Sequence, residues 1–243
     1  MEKVRLIHYL NQFFAGIGGE DKAGAPVDFR DGVLGPGRRL QTLLGDTVGI
    51  VVTVYCGDNY FAENRDEVLA SIRQIAKDFN VQMMVAGPAF DAGRYGFACA
   101  EVMQYLSTSL DIYCVGGMHT ENAAVATYQQ YKNAKVFVIP TAADVAGMAD
   151  ALSKMAKLAS KLASGATIAP ATEEGYIPRG IRVMENVDQS GKDRAIDMLL
   201  NKLAGRPFTT EIPIEHLEVI SAPPCQSGEL LYGSWSAYQT WHH

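Results

Sequence analysis

Cysteine is sparse in this chain, with four in 243 residues. Cys56, Cys99, Cys114 and Cys225 stand too far apart to form a CxxC pair or a zinc-ribbon spacing, which excludes a metal centre or redox dithiol built from near neighbours. Basic charge is also short: 21 Lys and Arg against 27 Asp and Glu leave a net charge of −6 and a pI near 5.4. No local Lys/Arg cluster relieves that balance, so nucleic acid is not an expected partner. No apolar run approaches the length of a membrane span, and the N-terminal MEKVRLIHYL is interrupted by Arg5 and His8 with no cleavage-like site. The chain therefore reads as a soluble cytoplasmic protein that engages no membrane. Nucleotide motifs are missing as well, because Gly87, Gly93 and Gly96 do not make GxGxxG and no GxxxxGK[ST] loop occurs.

What is present is a rhythm. The apolar runs Val4–Leu10, Val48–Tyr55, Val81–Ala86, Ile112–Val115 and Lys135–Ile139 each break into a loop loaded with Gly, polar and aromatic residues, and helical patterns lie between them. Continuous apolar runs alternating with helices predict an α/β fold, a Rossmann-like, doubly wound and mainly parallel sheet with helices on both faces. Ligands of such sheets bind beyond the carboxyl ends of the strands, so the five loops should face one crevice. With 48% hydrophobic residues the chain can bury a sizeable core. Residues 1–165 are expected to form the core domain, 166–217 a wrapping segment with a helix and an edge strand, and 218–243 an irregular tail. The strongest helical patterns are 63–79, 142–163 and 192–204. Residues 20–47, rich in Gly, Pro and charge, read as a long excursion.

The loops offer the chemistry. CGDNYF supplies Cys56 at a strand end, followed by Asp58, Asn59 and Tyr60. The two Asx side chains either close a turn or form a polar grip beside an aromatic wall. In GPAFDAGRYG, Phe90 precedes a helix opening at Gly93, Arg94 and Gly96, where backbone N–H groups and a guanidinium suit a carboxylate; Tyr95 adds an aromatic face. GGMHTEN brings Met118, His119 and Glu121, and the first strand brings His8. Histidines at strand ends are commonly structural. Converged, however, His8, Cys56, Asp58, His119 and Glu121 could bind a metal or move protons. EEGYIPRGIR reads as a solvated loop, or as a lid or partner contact.

HYLNQFFAGIGGEDKA, CGDNYFAEN, GPAFDAGRYGFAC and EEGYIPRGIR together resemble the N-terminal half of the selenoprotein B subunit of glycine, sarcosine and betaine reductases, over residues 4–215. The resemblance implies reductive cleavage of a C–N bond, in which a partner subunit's pyruvoyl group holds the substrate and a selenocysteine attacks carbon. Chains of that family are close to twice this length, with the selenocysteine in the second half. It follows as an expectation that this chain holds no cofactor, that the pyruvoyl group and the selenocysteine or cysteine sit on partner chains, and that the partners are other reductase subunits or further copies of itself. The nucleophile does not transfer to Cys225. A small amino-acid-like substrate would then place its carboxylate on Arg94 and its cationic nitrogen against Tyr60, Phe61, Phe90 and Tyr95. A non-catalytic binding module and a stand-alone enzyme using Cys56 with a histidine are the alternatives.

Overall fold

The computed structural model describes residues 3–181 and 191–208. Two compact units divide the chain, residues 1–183 and 184–243.

The first unit is a six-stranded sheet in the order β2-β3-β1-β4-β5-β6. Its strands are β1 (Val4–Asn11), β2 (Asp28–Asp31), β3 (Val48–Cys56), β4 (Met83–Ala86), β5 (Tyr113–His119) and β6 (Val136–Thr141). Five are parallel, and only β2 runs antiparallel, on the β3 edge. The helices are α1 (Gly37–Leu44), α2 (Asp58–Glu63), α3 (Arg65–Asp78), α4 (Gly93–Leu110), α5 (Ala124–Tyr131), α6 (Met148–Ala163) and the single turn α7 (Ala171–Glu174).

Period-two alternation divides each strand between two cores. Ile7, Tyr9, Val52, Val54, Cys56, Met84, Cys114, Met118 and Val138 face α3, α4 and α5. Leu6, Ile50, Val85, Val115, Phe137 and Ile139 face α1 and α6. α3 forms because Val68, Leu69, Ile72 and Ala76 recur on one stripe, with Asp66 and Glu67 in the first turn and Lys77 in the last, as the helix dipole favours. α6 buries Leu152, Met155, Ala156, Ala159 and Leu162 by the same logic. The doubly wound α/β sheet with helices on both faces is thus as the alternation of runs implies.

Three local expectations need correction. The stretch 20–47 is not one loop, since it contains β2 and α1; Leu40 and Leu44 bury one side of α1 at the sheet. GDNYF is not a loop either, because α2 begins at Asp58 immediately after Gly57. β5 runs on to His119, so GGMH is strand, with Gly116 and Gly117 leaving room for the Met103 and Met155 side chains.

EEGYIPRG is no solvated loop. Tyr176 and Ile177 are buried, the Ile177 amide donates to the Val138 carbonyl at 2.7 Å, and Tyr128 Oη donates to the Ile177 carbonyl at 2.8 Å. Arg179 stacks over the Phe137 ring at 4.5 Å, completing a strap along β6.

The second unit contributes α8 (Gly191–Leu203), close to the 192–204 reading. The expected edge strand at TTEIPIE lies outside the described residues.

Candidate functional site

β1 lies in the middle of the sheet between β3 and β4, and the connection leaving β1 runs toward the β2–β3 side whereas the connection leaving β4 runs toward β5, in the opposite direction. Such a switch point opens a crevice. A cavity of about 350 Å³ lies there, and four strand ends contribute to it: Asn11–Phe14 after β1, Asp58 after β3, Ala89, Phe90 and Ala92 after β4, and Ala143–Val145 after β6. Gly19 and Glu20 complete the lining.

Asp58 is the centre of its polar wall. Its Oδ2 accepts from Asn11 Nδ2 at 3.0 Å, and its own amide donates to Gln12 Oε1 at 3.1 Å. The other carboxylate oxygen, Oδ1, is buried with no hydrogen-bond partner among the described residues. Burial pushes the Asp58 carboxyl above its ordinary range, opposed by the Asn11 hydrogen bond and the Arg94 charge. An unpaired acceptor beside an apolar wall is costly unless a donor or cation joins it.

The apolar wall is aromatic. Phe14 packs against Phe13, Phe90 and Tyr95 with ring centroids 5.2, 6.0 and 5.8 Å away. Phe90 sits at φ +52°, a left-handed conformation that a bulky side chain adopts only when its surroundings hold it. Those surroundings are the His119 amide, which donates to the Phe90 carbonyl at 2.9 Å, and Asn122 Nδ2, which donates to the same oxygen at 2.9 Å. The Ala89 amide is fixed to the Gly117 carbonyl at 2.7 Å.

Among the described residues, all ionisable side chains that line the cavity are carboxylic: Glu20, Asp58 and Asp144. Arg94 stands behind this lining, where its guanidinium donates to the Glu20 carboxylate and to the Asn59 side-chain Oδ1. That ion pair raises the Arg94 pKa further. α4 starts beside the cavity without a side-chain cap, and the first of its amides to find a helical partner is that of Gly96.

Of the residues singled out in the sequence, the structure brings Asp58 and Phe90 to the cavity wall, with Asn59 and Arg94 just behind. Tyr60 is partly buried against the core and its hydroxyl donates to Glu67 at 3.4 Å. Tyr95 and Met118 are fully buried; Tyr95 supports Phe14 from beneath rather than lining the cavity.

The convergence of His8, Cys56, His119 and Glu121 with Asp58 is not found. His8 points to the α1 face, its Nδ1 next to Gly37, whereas Cys56 points to the opposite face. Its Nε2 lies 3.0 Å from the Gly87 carbonyl, and burial lowers its pKa to about 4, so the neutral ring donates there. Cys56 is fully buried, and desolvation with the nearby Asp58 charge pushes its thiol up to about 12, the reverse of what a nucleophile needs. Cys99 and Cys114 are likewise buried, with thiols shifted upward by desolvation. His119 Nδ1 accepts weakly from the Glu121 amide at 3.4 Å, and the contribution of this loop to the cavity is the main-chain hold on Phe90. Among the described residues no group of three His, Cys, Asp or Glu could hold a metal ion. No helix of the described residues is long and apolar enough to cross a membrane.

Residues that sequence reasoning passed over carry much of the site. Asn11 closes β1 and Gln12, Phe13 and Phe14 follow it, while Asp144 and Val145 lie just beyond β6. The strand-and-loop rhythm pointed at both loops; nothing in their composition marked one residue above its neighbours.

The profile of the glycine/sarcosine/betaine reductase selenoprotein B (GRDB) family matches residues 3–227. The chain belongs to this family. It is 41% identical to the sarcosine reductase complex component B subunit beta of Peptoclostridium acidaminophilum, over 92% of this chain and 50% of that protein. It is 43% identical to the glycine reductase complex component B subunit gamma of Carboxydothermus hydrogenoformans, over 92% of this chain and 51% of that one. Identity to the betaine reductase complex component B subunit beta of P. acidaminophilum is 37%, over 86% and 47% respectively. The chain therefore spans about half the length of the curated relatives it matches. No solved structure matches it.

Proposed function

We infer that this chain is the substrate-binding part of a component-B-type reductase, receiving a small amino-acid-like carboxylate for reductive C–N cleavage while the redox selenol or thiol resides on another chain. The observation that carries this reading is the composition of the cavity: three carboxylic side chains and three phenylalanines, with the Asp58 Oδ1 acceptor left unpaired. A cationic nitrogen satisfies both walls at once. Asp58 meets its charge, and the faces of Phe13, Phe14 and Phe90 attract ammonium or methylated ammonium, each contact worth roughly 0.5–2 kcal/mol. The carboxylate of the same ligand would reach Arg94, Asn59 and the uncapped amides at the start of α4.

The redox step is assigned elsewhere because all three described cysteines are buried and protonated. The names of the relatives, components of glycine, sarcosine and betaine reductase complexes, support the reading of a small amino-acid-like ligand. The pyruvoyl-bearing subunit that the resemblance implies would present the substrate from its own chain.

Anaerobic purification of the chain from its host, with mass spectrometry of what accompanies it, tests the assignment. Recovery of a selenocysteine- or cysteine-rich chain with a pyruvoyl-bearing subunit is expected, together with reductase activity of the mixture and none of the chain alone. A solitary chain that turns over substrate through Cys56 would overturn it.

A further inference from the structure

Glu20 lines the cavity and also holds the Arg94 guanidinium, which does not line it. The carboxylate of Glu20 thus stands between the cavity and the cation best suited to bind a ligand's carboxylate. Arg94 is shared further, through Nη1, with the Asn59 side-chain Oδ1.

The segment carrying Glu20 is fastened to the sheet and to α2 at its two ends and makes only local main-chain hydrogen bonds between them. Before it, the Ala15, Gly16 and Ile17 amides donate to the carbonyls of Asn11, Phe13 and Gln12, making a knuckle on β1. After it, the Gly57 amide donates to the Ala25 carbonyl, and the Asn59 and Tyr60 amides donate to the Ala23 carbonyl, pinning 23–25 to α2. Between these points come Gly18, Gly19 and Glu20: the Lys22 and Ala23 amides donate to the Gly19 and Glu20 carbonyls in a single 3-10 turn, and among the described residues no main-chain hydrogen bond joins residues 18–20 to the strands or to α1–α7. Gly16, at φ +74°, and the Gly18–Gly19 pair give the chain freedom to swing there. Among the described residues the one side-chain tie from the middle of the segment to the body of the domain is the Glu20–Arg94 ion pair. Both partners are at least half exposed, Arg94 50% and Glu20 70%, which makes the tie weak and open to competition.

The geometry points to Arg94 and Asn59 as a carboxylate subsite that Glu20 of the same chain fills when no ligand is bound. An incoming carboxylate exchanges with the Glu20 carboxylate, and the 18–20 segment, released from Arg94, swings clear of the cavity. Charge is conserved in the exchange, since one carboxylate replaces another on one guanidinium. This deepens the substrate-binding reading above and rests on it for the identity of the ligand, but the exchange itself concerns any small carboxylate.

The test uses sodium acetate as the probe, with sodium chloride at equal ionic strength as the control for screening. Acetate is titrated by calorimetry into the 243-residue chain and its Glu20→Gln and Arg94→Gln variants, and tryptic cleavage after Lys22 is followed by mass spectrometry. The exchange predicts that Glu20→Gln tightens acetate roughly two- to fivefold, the range that an exposed competing pair allows. It predicts that Arg94→Gln abolishes the acetate response, and that cleavage after Lys22 accelerates in wild type with acetate and in Glu20→Gln without it. Unchanged or weaker acetate binding in Glu20→Gln, with cleavage insensitive to acetate, overturns the exchange. Acetate-dependent release in a chain that binds no glycine, sarcosine or betaine would remove the substrate reading and leave the exchange standing. Amino-acid binding that Glu20→Gln fails to tighten would do the opposite.

Discussion

Asn122 Nδ2 donates to the Phe90 carbonyl at 2.9 Å while Asn122 Oδ1 accepts from the Ala124 amide at 3.0 Å, so one buried amide couples the aromatic wall of the cavity to the first turn of α5. Gly96 is the counterpart of this arrangement. A Cβ there would stand 2.5 Å from Asn122 Oδ1, so only glycine lets α4 pass so close.

Asn122→Ala removes both bonds and the longer one to the Ala92 carbonyl at 3.3 Å, leaving the Ala124 amide without its side-chain acceptor and the Phe90 carbonyl held by the His119 amide alone. A loss of about 1–3 kcal/mol in chemical denaturation is expected, together with weaker ligand binding as Phe90 relaxes from its left-handed conformation. Asn122→Asp, which keeps the acceptor for the Ala124 amide but loses the donor to Phe90, should restore part of the stability and little of the binding.

His8 sets an acid limit on the fold. Its pKa falls from 6.5 to about 4 on folding, so the folded state favours the neutral ring. The stability this contributes is complete above about pH 6.5 and is lost as pH falls through the folded value, in total about 3 kcal/mol. A His8→Gln variant should lack that acid-side slope when unfolding is measured between pH 7 and 4. Gly37→Ala should destabilise the chain by about 1–3 kcal/mol, since the new Cβ would stand 2.9 Å from His8 Nδ1.

Asp58 has the opposite sign. Its folded pKa is raised above the ordinary carboxyl value near 3.9, so the folded chain binds this proton more tightly than the unfolded chain does. Its contribution is present at low pH and is lost as pH rises through the folded value. Asp58→Asn should therefore be more stable than wild type at neutral pH, with the difference shrinking on acidification, while losing affinity for a cationic ligand. Equal stability of the two proteins at all pH values would show that the Asp58 charge is not under strain.

Cys56 should be inert. With its thiol near 12 and its side chain fully buried, iodoacetamide at pH 8 should label the native chain at Cys56 no faster than global unfolding permits, and Cys56→Ser should leave ligand binding within twofold of wild type. Rapid alkylation of folded protein would return this residue to consideration as a nucleophile.

The fold was legible because buried parallel strands announce themselves as unbroken apolar runs. Val4–Leu10 and Val48–Tyr55 need no partner information to be recognised, and the stripe of α6 is long enough to fix its period. β2 and α1 were not legible. The four residues of β2 are all exposed, and α1 buries only Leu40 and Leu44 beside Gly37. The site was legible by place and only partly by residue. Asp58 and Phe90 carry chemistry visible in their loops. The roles of Asn11 and Asn122 exist only through bonds to residues far along the chain, which no local pattern records. His8 misled for a simple reason, that alternation along β1 sets it on the face opposite Cys56.

The central claim is that the cavity between β1 and β4 holds a small carboxylate by its cationic nitrogen. Titration calorimetry with glycine, sarcosine and betaine, run on wild type and Asp58→Asn in parallel, tests it most directly. Saturable binding of at least one of the three, weakened tenfold or more by Asp58→Asn in a variant that remains folded, is the predicted result. Binding that Asp58→Asn leaves unchanged, or no binding of any of the three to the wild-type chain, would contradict it.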